Sequence, residues 1–282
     1  MNIMLVTPWT PSLTGGISTV VARLTGEFQK KGHNITIFVA DRENRLRQIE
    51  ALDEIPVYGM YLRSPVSSQY PLRAMVMCCI WFPITMVQLI WLARKKRLDA
   101  VLIQYPLPAM FYFGILKRVF GGTLFITYQG NDAHDLCLWD RREQRLVRFL
   151  LEKADLVLGV SRTLLAKVES VLQGVHLRRS RQLPNGAPLD VIRAVKAGEA
   201  GSDLPPNYLL TAGHLIRRKG MDLVIAALRE AKKRGVALQL VVAGDGPERE
   251  NLIRQSREQG VSDQVRFLGN QSHRQVLSLM KT

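Results

Sequence analysis

Residues 208–220 read Tyr-Leu-Leu-Thr-Ala-Gly-His-Leu-Ile-Arg-Arg-Lys-Gly, an apolar run that breaks at a glycine into a basic cluster. Met221, Val224, Ile225, Leu228 and Ala231 then recur at helical spacing, so Lys219 and Gly220 stand where a helix begins. The free N–H groups and positive dipole end of a helix start favour an anion, and Arg218 and Lys219 add formal charge. The plan repeats at 238–247, where an apolar run ends in Gly244-Asp245-Gly246 and Pro247 suits a first helical position. Strand, glycine turn and helix, twice over, confine this part of the chain to a wound α/β sheet that can hold phosphate at its strand ends.

The N-terminal end opens in the same way. Residues 2–6 read as a buried strand, and 7–16 as a loop of Thr, Pro and Gly that closes on Gly15-Gly16. Ile17, Val20, Val21, Leu24 and Phe28 mark one helix face ended by Gly32, and 35–39 is the next strand. Further strands are expected at 100–105, 124–128, 208–212, 237–243 and 264–268. Doubly wound sheets bind ligands at the carboxyl ends of their strands, and Gly16, lacking Cβ, lets backbone approach one. A chain of 282 residues suggests about two domains. Gly198, Gly201, Pro205 and Pro206 mark a linker, and the boundary is placed near Asp190, giving 1–190 and 191–282. Three strands are few for the second domain, which is therefore expected to be incomplete, with an apolar sheet edge.

Gly-His-Leu-Ile-Arg-Arg-Lys-Gly at 213–220, Val-Val-Ala-Gly-Asp-Gly-Pro-Glu at 241–248 and Val-Arg-Phe-Leu-Gly at 265–269, in this order and spacing, resemble the C-terminal half of the family 4 retaining glycosyltransferases of the GT-B fold. The resemblance implies two Rossmann-like doubly wound parallel-sheet domains facing a cleft, and a sugar moved from a nucleotide-diphosphate donor. It implies that Gly15 and Gly16 lie against the donor phosphates and the acceptor. It places Asn185 and Gly186 at the border of the sugar pocket, and His214, Arg218, Lys219, Gly244 and Gly246 at the donor. Where the family has His-Gly-x-Asp, this chain has Gln129-Gly130-Asn131-Asp132. Gln129 can hydrogen-bond a hydroxyl but cannot carry a proton. His134, five residues on, is a candidate to replace that group, beside the reading of an ordinary surface residue. His214 stands where the family has Arg, and is a weaker, titratable phosphate ligand. No metal or other cofactor is implied, so cations and backbone dipoles must meet the charge that builds on the leaving diphosphate. Asp132, Gln129 and Lys219 are the expected catalytic residues.

Charge bears on partners. Against 24 Asp+Glu the chain sets 39 Lys+Arg, a formal +15 that predicts attraction to phospholipid, nucleic acid or a phosphorylated substrate. Neither an aromatic stacking sheet nor a helix-turn-helix pattern accompanies it, so nucleic acid ranks last. Residues 74–93 carry no charge, and Arg94-Lys95-Lys96-Arg97 follows. A run of this length could span a bilayer, but Pro83 interrupts it and a core strand follows at once. Two readings stay open for 73–97: an ordinary buried helix, or a helix at the membrane interface on anionic headgroups. Trp81 and Trp91 lean towards the interface. Three sparse cysteines suit a reducing cytosol, and Met1 leads directly into a strand pattern without a signal peptide. The expectation is a cytoplasmic transferase, peripheral on the inner membrane face, acting on a lipid-linked or surface-polysaccharide acceptor. Thr282 falls before the family's Glu-x7-Glu segment, so a truncated, inactive nucleotide-binding or interaction module is the alternative expectation.

Overall fold

The computed structural model describes residues 1–10, 16–67, 69–173, 175, 177, 179–187, 189–196 and 204–281. Gly15 and the centre of the expected linker, 197–203, lie outside them. The chain divides into two compact units, Met1–Asn185 and Gly186–Thr282.

The first unit runs β1 (Asn2–Thr7), α1 (Gly16–Lys30), β2 (Asn34–Ala40), β3 (Arg47–Leu52), β4 (Ile55–Met60), α2 (Pro71–Lys95) and β5 (Ala100–Gln104). It continues through α3 (Phe111–Phe120), β6 (Thr123–Tyr128), α4 (Asn131–Leu138), α5 (Arg141–Lys153), β7 (Leu156–Gly159), α6 (Arg162–Val171) and β8 (Ser180–Gln182). Among the described residues these strands form one sheet in the order β3-β4-β2-β1-β5-β6-β7-β8. All neighbours pair in parallel except β3 with β4. Both faces are covered, which explains why the central strands read as continuous apolar runs and not as alternating ones. In β1, Met4 and Val6 enter one core cluster while Ile3 and Leu5 enter the other. Strand order reverses between β1 and β5, and at such a reversal the flanking connections leave on opposite faces and open a crevice at the carboxyl ends.

The helix α2 corrects one expectation. It passes through Pro83 unbroken. Proline removes the bond to the carbonyl four residues back, but Pro83 and Cys79 are both on the exposed side, so that carbonyl is not stranded in the core. Cys78, Met86, Leu89 and Leu92 pack inward, where the helix meets α3. The opposite side is equally apolar and exposed, so α2 is not the ordinary buried helix that was one of its two readings.

The second unit holds α7 (Leu189–Ala194), β9 (Leu209–Ala212), α8 (Met221–Lys233), β10 (Leu240–Ala243), α9 (Arg249–Glu258), β11 (Val265–Gly269) and α10 (His273–Leu279). Its sheet is parallel, ordered β11-β10-β9 among the described residues. Leu215, Ile225, Leu228, Val242 and Leu252 close its core. The Ser272–Gln275 pair caps α10 reciprocally, each side chain taking the other's backbone N–H. Pro247 lies in a turn two residues before α9 begins, not at the first helical position that its spacing suggests.

Candidate functional site

In the first unit the functional side chains gather at the carboxyl ends of β5 and β6, beside the point where strand order reverses. Gln104 ends β5 and is buried. Its Oε1 accepts from Gln129 Nε2 at 2.8 Å. Gln129 Oε1 in turn accepts from Asn185 Nδ2 at 3.0 Å. Gln104 Nε2 reaches Thr127 Oγ1 at 3.5 Å, a long contact that anchors the deep end. Three neutral amides thus form a relay from the strand end to the last residue of the unit. Each bond fixes the flip of the next amide, because an amide oxygen only accepts and its nitrogen only donates. Gln129 and Asn185 keep spare donor and acceptor capacity, which suits sugar hydroxyls.

Asp132 holds this arrangement from beneath. It is fully buried on the first turn of α4. Its carboxylate accepts from Gln129 N and Gly130 N, both at 2.7 Å, and from Ala133 N at 3.0 Å. Burial pushes its carboxyl pKa up, against the pull of those three N–H groups. Its oxygens are committed to the backbone N–H groups of the Gln129 loop and the start of α4, at a residue for which sequence reasoning expected direct catalysis. Gly130 enters α4 at φ 133°, a region that L side chains avoid. His134 lies exposed on α4.

An aromatic wall stands beside the relay. Tyr105 follows Gln104 with φ 68° and donates its hydroxyl to Asp135 Oδ2. Trp9, just past β1, meets the Tyr105 ring edge-on at a centroid distance of 5.0 Å. Sequence reasoning missed Trp9, Gln104 and Tyr105. The signal that finds them is the strand-end rule itself, since Gln104 is the last residue of β5, Tyr105 follows it and Trp9 lies just past β1. Gly16 opens α1, and a Cβ built there meets nothing within 4 Å. Asn185 and Gly186 are exposed.

In the second unit two glycine turns lock together at the carboxyl ends of β9 and β10. Leu215 N donates to Asp245 O at 2.9 Å, and Glu248 N donates to Leu215 O at 3.0 Å. A Cβ on Gly244 would lie 1.9 Å from the Gly213 carbonyl oxygen, and one on Gly246 2.5 Å from that of Leu215. The fold itself therefore requires glycine at both. His214 Nδ1 lies 2.8 Å from Asp245 O. A carbonyl only accepts, so Nδ1 carries the hydrogen in this contact. Arg217–Lys219 forms a short 3-10 turn, and Gly220, left-handed at φ 65°, leads into α8. His214, Arg217, Arg218 and Lys219 are all exposed there. The unit therefore presents a dense cationic edge above interlocked backbone.

A family model described as Glycosyltransferase Family 4 matches residues 14–191, and one described as Glycosyl transferases group 1 matches 194–282. The chain belongs to glycosyltransferase family 4. The chain is 27% identical over 195 residues to an alpha-D-kanosaminyltransferase of Streptomyces kanamyceticus. That alignment covers 61% of the chain and 48% of the relative, so the chain spans about half the length of the curated protein it matches. In fold it resembles the lipopolysaccharide outer core galactosyltransferase WaaB in its apo form, with a TM-score of 0.64 at 17% identity, over all of this chain and 71% of that one. It also resembles the catalytic domain of starch synthase IV from Arabidopsis thaliana, with a TM-score of 0.59 at 15% identity, over all of this chain and 76% of the other. These likenesses carry the fold, which is α/β of the GT-B type with one large and one smaller parallel sheet. In this chain Gln129, Asp132 and Asn185 meet in one network, His214, Gly244 and Gly246 lie in the interlocked turns of the second unit, and Arg218 and Lys219 lie on the short turn that follows them.

Proposed function

We propose that the protein transfers a sugar, with retention at the anomeric carbon, from a nucleotide-diphosphate donor to a lipid-linked or surface-polysaccharide glycan at the cytoplasmic membrane face. The observation that carries the reading is the amide relay Gln104–Gln129–Asn185 at the sheet's switch point, in a chain of glycosyltransferase family 4. Neutral amides with their flips fixed recognise hydroxyl groups without taking protons, which suits the holding of a sugar. Asp132 stiffens the loop that carries Gln129, and the Trp9–Tyr105 pair offers an apolar wall for a pyranose face.

In the reaction, the bond between the anomeric carbon and a diphosphate oxygen breaks, and its electron pair leaves with the diphosphate. A bond to the acceptor oxygen forms, and the acceptor's proton is released. The barrier is set by charge growing on the diphosphate. Cations and N–H groups aimed at that charge lower it without needing a resident cofactor. Lys219 and Arg218 on the exposed turn supply the charge in this reading, and His214 Nε2 supplies a further contact. Gly213 and the Gly244–Gly246 turn keep the backbone low enough for a phosphate to approach. The same interlocking that demands glycine there makes this edge stiff, so little order has to be gained on binding.

The test is Lys219→Ala. Loss of one charge contact formed in the transition state lowers turnover by roughly 10²–10³, with donor affinity falling less. Unchanged turnover removes Lys219 from the mechanism. A chain that binds nucleoside diphosphate sugars across a panel of bases, yet transfers none, is a binding module.

A further inference from the structure

We propose that the exposed face of α2 lies along an anionic lipid surface, embedded on one side and packed into the protein on the other. Leu72, Val76, Ile80, Ile84, Val87 and Trp91 fall within roughly a 120° arc of the helix at 3.6 residues per turn, and all are 45% to 73% exposed. The opposite arc, with Cys78, Met86, Leu89 and Leu92, is buried in the core. A helix of 25 residues is about 38 Å long, so the apolar ridge runs nearly its whole length. Apolar patches on this scale mark interaction surfaces and are not what a monomer ordinarily leaves to water. The inward face belongs to the sheet's core, so α2 cannot leave it to cross a bilayer.

Charge selects the occupant. No charged residue interrupts 74–93, while Arg73 near the start of the ridge and Arg94, Lys95 and Arg97 after its end are exposed. Lys95 Nζ sits 4.5 Å from the centre of the Trp91 ring. An indole at the edge of an apolar ridge with an ammonium on its face fits the level where acyl chains meet headgroups. Cations bracketing an uncharged strip match a surface that is apolar below and negative above, and each basic residue near such a surface adds to the attraction. The excess of +15 over the chain acts in the same direction. The inference rests on the sugar-transfer reading only for where the acceptor waits.

The experiment uses the full chain and vesicles of phosphatidylcholine, with and without phosphatidylglycerol. The protein binds the anionic vesicles, and brominated acyl chains quench its fluorescence more than that of Trp91→Phe. The triple variant Ile80→Ser, Ile84→Ser, Val87→Ser loses at least roughly 10-fold in partitioning, from the apolar area that no longer leaves water. The variant Arg94→Gln, Lys95→Gln, Arg97→Gln loses about 100-fold on anionic vesicles and little on neutral ones. All six substituted residues are exposed, so far-UV circular dichroism is unchanged. Binding of a nucleoside diphosphate sugar without lipid is also unchanged in both variants, which separates failure here from failure of the transfer reading. Equal partitioning of wild type and the serine variant overturns the proposal, as does absence of binding to anionic vesicles. A lipid-free dimer that the serine variant abolishes also overturns it, since the ridge then belongs to a second copy.

Discussion

Asp132 gives up solvent entirely, yet three backbone N–H groups converge on its two oxygens. Burial and hydrogen bonding pull its pKa in opposite directions, and burial wins. Asp132→Asn puts an NH₂ where one of those N–H groups now finds an acceptor. The expected cost is about 1–3 kcal/mol, the usual penalty for a buried donor left unsatisfied, read as a lower denaturant midpoint with unchanged slope. An unaltered midpoint would show that the loop does not depend on the carboxylate. Gln129 makes a different prediction, about chemistry. The wild-type group has no proton to lose, so transfer carries no titration from this position. Gln129→His introduces a ring that changes charge between about pH 5 and 8, so a new limb appears in the pH profile of kcat/KM across that range. A profile identical to wild type would mean that position 129 does not touch the reacting sugar.

Between elements, Lys117 of α3 ties two neighbours together. Its Nζ donates to Lys153 O at the end of α5 at 2.8 Å and meets Asp155 Oδ1 at 2.6 Å. Asp155 also accepts from Leu124 N of β6 at 2.8 Å. Partial burial raises the Asp155 pKa, but Lys117 and the Leu124 N–H outweigh it, and the net shift is downward. The sign follows: a carboxyl whose folded pKa is depressed stabilises above its unfolded value, and that stability is lost as pH falls through the folded value. Asp155→Asn therefore lowers stability near neutral pH and flattens the acid limb below about pH 4, measured as denaturant midpoints across that range. An acid limb as steep as wild type would place the titration elsewhere. The elements themselves were legible to different degrees. The glycine turns of the second unit and the Ser272 cap follow from local chemistry, and the structure has them where spacing puts them. The β3–β4 hairpin was not legible. Its turn places Asp53 and Glu54 at φ 45° and 68°, and without the usual glycine the sequence carries little turn signal there. The relay at the site was half legible. Gln129 and Asn185 lie in motifs, but Gln104 is one polar residue ending an apolar strand, and only the strand order shows that it meets them.

At the scale of the whole molecule the two units can be followed separately, because Trp9, Trp81, Trp91 and Trp139 are the chain's four tryptophans and all lie in the first. Tryptophan fluorescence therefore reports unfolding of the first unit, while circular dichroism reports helices in both. The proposed phosphate grip is built from second-unit residues, with cations and glycine turns on one edge of the small sheet. A ligand that binds only the folded form stabilises it by about 2.7 kcal/mol at one hundred times its dissociation constant. For a unit of roughly 100 residues, each kcal/mol moves the midpoint by about 4–8 °C. A nucleoside diphosphate at that excess should therefore raise the dichroism midpoint of the second unit by on the order of 10 °C or more, with a smaller change in the fluorescence midpoint. Lys219→Ala should shrink the dichroism shift and leave the ligand-free midpoint in place, because its side chain is exposed and has no core contact to lose. Two midpoints rising together would mean that the units unfold as one. A shift confined to the fluorescence signal would move the diphosphate to the first unit and overturn the assignment of Lys219.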